Sequence, residues 1–181
     1  MKLTAEKFWN QYINSGKTHL LITGWRGKGK STLFKKLISI ISPDGTILPG
    51  LSSVYIAKSG VMLQDNILKT KAAIGIYCPE KSEIGKNMIP YSDGFYTVGI
   101  PALTAALQGA GEWFTVDEIG FLESNEAQFQ QALLKIMESK KLLAVVRKIE
   151  KGTVPFIDKI LSRSDVFVID LDDFENADYW E

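Results

Sequence analysis

The segment Gly24-Trp25-Arg26-Gly27-Lys28-Gly29-Lys30-Ser31 follows the apolar run Leu20-Leu21-Ile22. It restricts the possible folds more than any other part of the 181-residue chain. Three cations crowd among three glycines, and they repel one another unless something negative sits between them. The spacing is that of a phosphate loop, G-x-x-x-x-G-K-[ST]. Glycines let the chain wrap so that successive backbone N–H groups point at phosphate oxygens. A helix opening at Lys30 adds its own unpaired N–H groups and its positive dipole end. Such a loop needs a strand before it and a helix after it. Both are predicted: a strand over 18–23, and a helix in which Leu33, Phe34, Leu37, Ile38 and Ile41 recur at helical spacing up to Pro43.

The expected nucleotide-binding residues are Gly24, Trp25, Arg26, Gly27, Lys28, Gly29, Lys30, Ser31 and Thr32. Lys30 reaches the β- and γ-phosphates and counts as catalytic. Ser31 puts its hydroxyl on Mg²⁺, and Thr32 faces the α-phosphate side. Two readings of Arg26 stand open, contact with the γ-phosphate or exposure to solvent. Trp25 either packs on a neighbouring helix or borders the nucleotide.

A second element lies far down the chain. The strand predicted over 112–118 ends in Asp117-Glu118, within "WFTVDEIG". The carboxyl ends of strands line the ligand crevice of open α/β sheets. Asp117 is therefore the expected Mg²⁺ ligand, and Glu118 the group that orients or deprotonates an attacking water. The competing reading is an acid pair opening a turn. Arg147 ends the strand predicted over 142–148, on the same side. It is the candidate γ-phosphate sensor, against a surface ion pair.

The remaining pattern is strand and helix in alternation. A helix over 4–15 with Thr4 as its cap precedes the first strand, and further helices are expected within 100–110, 124–141 and 155–162. The last strand spans 165–171. In the middle, "SSVYIAK", "GVMLQ", "AAIGIYC" and "FYTVG" read as short strands, and 79–94 as a mobile segment. The fold expected is α/β, with a mostly parallel sheet and helices on both faces.

Composition removes other classes. Lys plus Arg equal Asp plus Glu at 21 each, so bulk charge gives no strong nucleic-acid signal. Arg26, Arg147 and Arg163 are the only arginines, too few for the arginine-rich lid of a nucleoside monophosphate kinase. Arg163 reads as a surface or helix-end residue. The single cysteine, Cys78, excludes an internal disulfide, and the single histidine, His19, excludes a His-based zinc site. His19 is expected at the surface, on a strand edge. No run reaches membrane-spanning length and no signal peptide is visible, which leads to the expectation of a cytoplasmic protein.

These residues resemble a known family. "GWRGKGKSTL", "VDEIGFLES…F" and "LLAVVRKIEKGTVPFIDKILSRSDVFVIDL" are similar to the small P-loop nucleoside-triphosphatases that include the cancer-related nucleoside-triphosphatase. The likeness spans about 20–178, with the middle loosely matched. It implies a three-layer, RecA-like P-loop NTPase fold and slow Mg²⁺-dependent hydrolysis of NTPs with little base selectivity. It places Gly24, Gly29, Lys30, Ser31 and Thr32 on phosphates and metal, Asp117 on Mg²⁺, and Glu118 as base. Leu122-Glu123 stands where the family has Met-Glu, and Phe129 follows. Two departures are visible. Trp25, Arg26, Lys28 and Ser31 replace the usual loop residues, and the family's late Glu-Asn-Arg appears as Glu175-Asn176-Ala177. The helix within 1–16 is an addition to a single domain over 1–181.

The expectation is a Mg²⁺-dependent nucleoside-triphosphatase that binds ATP or GTP through a Walker A loop. One alternative is an ATP-dependent regulatory module with weak intrinsic hydrolysis and an unidentified protein partner. The 79–94 segment and the added helix would then be docking surfaces. A small-molecule kinase is the third reading, disfavoured by the missing arginines.

Overall fold

The computed structural model describes residues 4–79 and 88–174. Among the described residues, eight strands form one sheet. They are β1 (His19–Thr23), β2 (Gly50–Ile56), β3 (Gly60–Asp65), β4 (Lys71–Tyr77), β5 (Met88–Pro90), β6 (Trp113–Ile119), β7 (Lys141–Val146) and β8 (Val166–Asp170). Their order is β5-β4-β3-β2-β6-β7-β1-β8. The β2-β6-β7-β1-β8 half is parallel, and β3, β4 and β5 extend it as an antiparallel meander.

The helices are α1 (Ala5–Ser15), α2 (Lys30–Ile41), α3 (Ile100–Gln108), α4 (Ala127–Ser139) and α5 (Pro155–Leu161). Alternation along each strand sends neighbouring side chains to opposite faces. Leu20, Ile22, Leu143 and Val145 join a core with Phe8 and Tyr12 of α1 and Leu33, Phe34 and Leu37 of α2. Leu21, Leu142, Ala144 and Val146 join the core built by α3, α4 and α5 on the other face. A continuous apolar run such as Leu20-Leu21-Ile22 is therefore required, since β1 is covered on both sides.

Three expectations are corrected. His19 is fully buried, not at the surface, because β1 lies between β7 and β8. Its Nδ1 accepts from the Leu142 N–H at 3.2 Å, and its Nε2 lies 3.4 Å from Asp165 Oδ2. Desolvation by that burial holds its pKa below the usual value, against the pull of Asp165. "FYTVG" is not a strand: Phe95–Gly99 forms a π-helical turn that runs into α3. Phe95 packs on Phe129 of α4 with ring centroids 4.9 Å apart, and this tertiary contact overrides the β-type composition. Within the supposedly mobile 79–94, Met88–Pro90 is ordered as β5 against β4, while 80–87 lie outside the described residues.

Candidate active site

The phosphate loop joins β1 to α2. Gly24, Gly27 and Gly29 take φ values of 139°, 85° and 84°, a region that side chains resist, so the glycine spacing is what the turn requires. Lys30 Nζ donates to the carbonyls of Gly24 at 2.7 Å and Trp25 at 2.9 Å, bracing the loop from inside. Burial lowers the Lys30 pKa, while Glu118 and Asp172 pull it back up. Ser31 and Thr32 open α2 and face the same cavity.

That cavity has a volume of about 960 Å³. Gly24, Trp25, Arg26, Gly27, Gly29, Lys30, Ser31 and Thr32 form one wall, and Asp117, Glu118 and Arg147 face them from β6 and the end of β7. Lys28 is the expected loop residue that is not on the wall; its ammonium lies 3.8 Å from Asp172 Oδ1. β7 sits between β1 and β6, which is why three sequence-distant segments end at one crevice.

Asp117 Oδ1 accepts from the Ser53 N–H at 2.7 Å. Burial pushes its carboxyl up to about 6, and the Ser53 hydrogen bond only partly opposes this. Glu118 is half-exposed and pairs loosely with Arg147 at 3.8 Å. The Arg147 guanidinium also lies 5.2 Å from the centre of the Phe121 ring. Arg147 lines the cavity and also makes the ion pair that was the competing reading.

The lining of the cavity is not all polar. Tyr55, Val61, Ile74, Met88, Phe121 and Leu122 add a largely apolar part to its lining.

Comparison with known proteins settles the family. A family model described as NTPase matches residues 19–180. This chain belongs to that NTPase family. Nucleoside-triphosphate hydrolysis is the activity that goes with membership. The chain is 32% identical over 158 residues to "Nucleoside-triphosphatase THEP1" of Thermotoga petrophila, covering 85% of this chain and 84% of that protein. It is 24% identical over 176 residues to "Cancer-related nucleoside-triphosphatase homolog" of Mus musculus, covering 84% and 87%. In fold it is similar to the crystal structure of THEP1 from Aquifex aeolicus, with a TM-score of 0.66, 20% identity, and 84% of this chain and 89% of that one covered. The fold of this NTPase is the P-loop α/β fold expected from its sequence. No helix among its described residues is long and apolar enough to cross a membrane. The matched span leaves out α1 (Ala5–Ser15).

Besides Glu123, which entered only through the family likeness, four residues around the site were not singled out from the sequence: Ser53, Lys148, Asp170 and Asp172. Ser53 comes from β2, and only the β2–β6 pairing brings it to Asp117. Glu123 is 4% exposed, and its Oε2 accepts from the Gly120 N–H at 2.7 Å. Burial raises its carboxyl to about 7. Lys148, next to Arg147, bonds Asp170 Oδ2 at 2.7 Å and Asp172 Oδ2 at 2.9 Å. The strand-end rule that selected Asp117 also points to Asp170, which ends β8 beside β1, and to Asp172 in the 3₁₀ turn that follows. Glu175-Asn176-Ala177 lie outside the described residues.

The donor set can be tested for Mg²⁺. Among the described residues, no group of three His, Cys, Asp or Glu side chains is placed to cage a metal. Mg²⁺ in nucleotide sites usually takes one or two protein oxygens and completes its shell with phosphates and water. A hydroxyl and a carboxylate lining one cavity, Ser31 and Asp117, fit that requirement.

Proposed function

We propose that this NTPase hydrolyses the γ-phosphate of Mg²⁺-bound ATP or GTP in the cavity between the phosphate loop and the end of β6. The observation that supports it is the shared wall: Lys30, Ser31 and Thr32 face Asp117, Glu118 and Arg147 across one space. Ser31 and Asp117 would hold the metal. Bound Mg²⁺ neutralises charge on the phosphate oxygens. Lys30, half-buried and already braced by two carbonyls, binds the β- and γ-phosphates with little reorganisation. Glu118 takes the proton of the attacking water. Arg147 stabilises the charge that grows on the γ-phosphoryl group. A cytoplasmic setting belongs to the same reading. The sequence carries no Asn-Lys-x-Asp element for guanine, so base preference is left to a screen of several NTPs.

A phosphate-release assay tests the reading. Release is expected to need Mg²⁺ and to be abolished in Lys30→Ala. Glu118→Gln is expected to keep nucleotide binding and to lose turnover by about tenfold or more. Undiminished turnover in Glu118→Gln would remove the base assignment. The apolar residues in the cavity lining favour one other reading, transfer of the γ-phosphoryl group to a hydroxyl compound held there. Release of free phosphate at the full rate of nucleotide consumption, with no acceptor added, would exclude it.

A further inference from the structure

The 3₁₀ turn Leu171–Asp173, directly after β8, forms the back support of the phosphate loop. The Trp25 N–H donates to Asp172 Oδ2 at 3.0 Å, across 147 positions of sequence. One residue earlier, Gly24 lies directly on Leu171: a Cβ added at Gly24 would come 3.1 Å from the Leu171 Cβ. Asp172 is itself fixed from several sides. Its own N–H donates to Asp170 Oδ1 at 3.0 Å, and Lys148 Nζ bonds its Oδ2 at 2.9 Å. Lys148 Nζ also stands 5.9 Å from the centre of the Trp25 ring. Burial raises the Asp172 pKa, but the Lys148 and Trp25 hydrogen bonds and the charges of Lys148 and Lys28 outweigh it, so the carboxylate is held ionised.

A carboxylate behind a loop built for a triphosphate is electrostatically unfavourable for the substrate. Its position makes sense only if the backbone bond is worth more than the repulsion. We infer that Asp172 is a positioning residue for nucleotide binding: it fixes the entry of the phosphate loop through the Trp25 N–H, so that the loop is ordered before the triphosphate arrives. Lys148 and Lys28 offset its charge. Ordering a loop in advance removes an entropic cost from the binding step. Asp172 does not line the cavity, so it acts through the loop and not on the reacting atoms.

This inference rests on the phosphate-loop reading, and the experiment separates the two. The dissociation constants of MgATP and MgGTP are measured by equilibrium titration, alongside kcat and thermal unfolding, for the wild type, Asp172→Ala, Asp172→Asn and Asp172→Glu. Asp172→Ala is expected to weaken binding about tenfold while kcat stays within about threefold, as the loss of one charge-assisted hydrogen bond implies. Asp172→Asn keeps an oxygen for the Trp25 N–H and is expected to bind within about threefold of the wild type. Asp172→Glu keeps the charge but moves the oxygen by one methylene, and is expected to bind more weakly than Asp172→Asn. If Asp172→Ala does not fold, the Asn and Glu variants decide. Unchanged affinity in Asp172→Ala, or better binding by Glu than by Asn, would overturn the assignment. A wild type that binds nucleotide without turnover would sink hydrolysis alone, since the affinity ratios still read the role of Asp172. A wild type that binds no nucleotide would overturn both.

Discussion

Glu123 shows how one buried carboxyl ties the site to stability. Its ordinary value is 4.5, and burial moves it to about 7 in the folded chain. Between those values the folded state holds a proton that the unfolded state has lost. Its contribution to stability therefore falls as pH rises through that window, and the loss is complete above about pH 7. The shift corresponds to roughly 3 kcal/mol. Glu123→Gln keeps an oxygen for the Gly120 N–H and removes the titration. Without nucleotide, its thermal midpoint is expected to vary less than the wild type's between about pH 5 and pH 8, and to lie above it at the upper end. Parallel pH profiles would contradict this. In the sequence Glu123 was visible only as the second residue of a family dipeptide, because nothing local says that a Glu in "FLES" will be buried. Lys30 and Ser31 were legible because their task is set by neighbours in sequence.

At the scale of elements, the turn Phe95–Gly99 carries the clearest lesson. Its residues favour a strand by composition, and its helical form depends on α4. Phe129 is 2% exposed and meets Phe95, and a Cβ added at Gly99 would come 2.9 Å from the Phe129 ring. Phe129→Ala is expected to cost about 3–5 kcal/mol by denaturant unfolding, the usual loss for a large buried aromatic. A cost under about 1 kcal/mol would show that the turn does not depend on this contact. Longer elements were legible from their own periodicity. Thr4 caps α1 by accepting from the Lys7 N–H at 3.3 Å, and α2, α4 and α5 fall within a few residues of their expected bounds. The strand β5 was missed because three residues carry no readable period.

Across the whole molecule, two cores share one sheet, and α1 contributes only to the face that carries α2. Phe8 and Tyr12 are nearly fully buried there, and Tyr12 Oη donates to the Thr18 carbonyl at 2.8 Å. Burial pushes the Tyr12 phenol up to about 12. Removing residues 1–16 strips the buried Phe8 and Tyr12 from this face, on the order of 3–6 kcal/mol of burial. The thermal midpoint is expected to drop by about 10 °C or more. An unchanged midpoint would show that α1 is an appendage. The sequence by itself determined the phosphate loop, the strand and helix around it, and the carboxylates at the end of β6. Each of these follows from local spacing and from the requirement that a strand covered on both faces be continuously apolar. Only the tertiary structure decided that His19 is buried, that the Ser53 N–H bonds Asp117, and that the Trp25 N–H bonds Asp172. Those contacts join residues tens to more than a hundred positions apart, and their geometry is set by strand order, which no short stretch of sequence encodes.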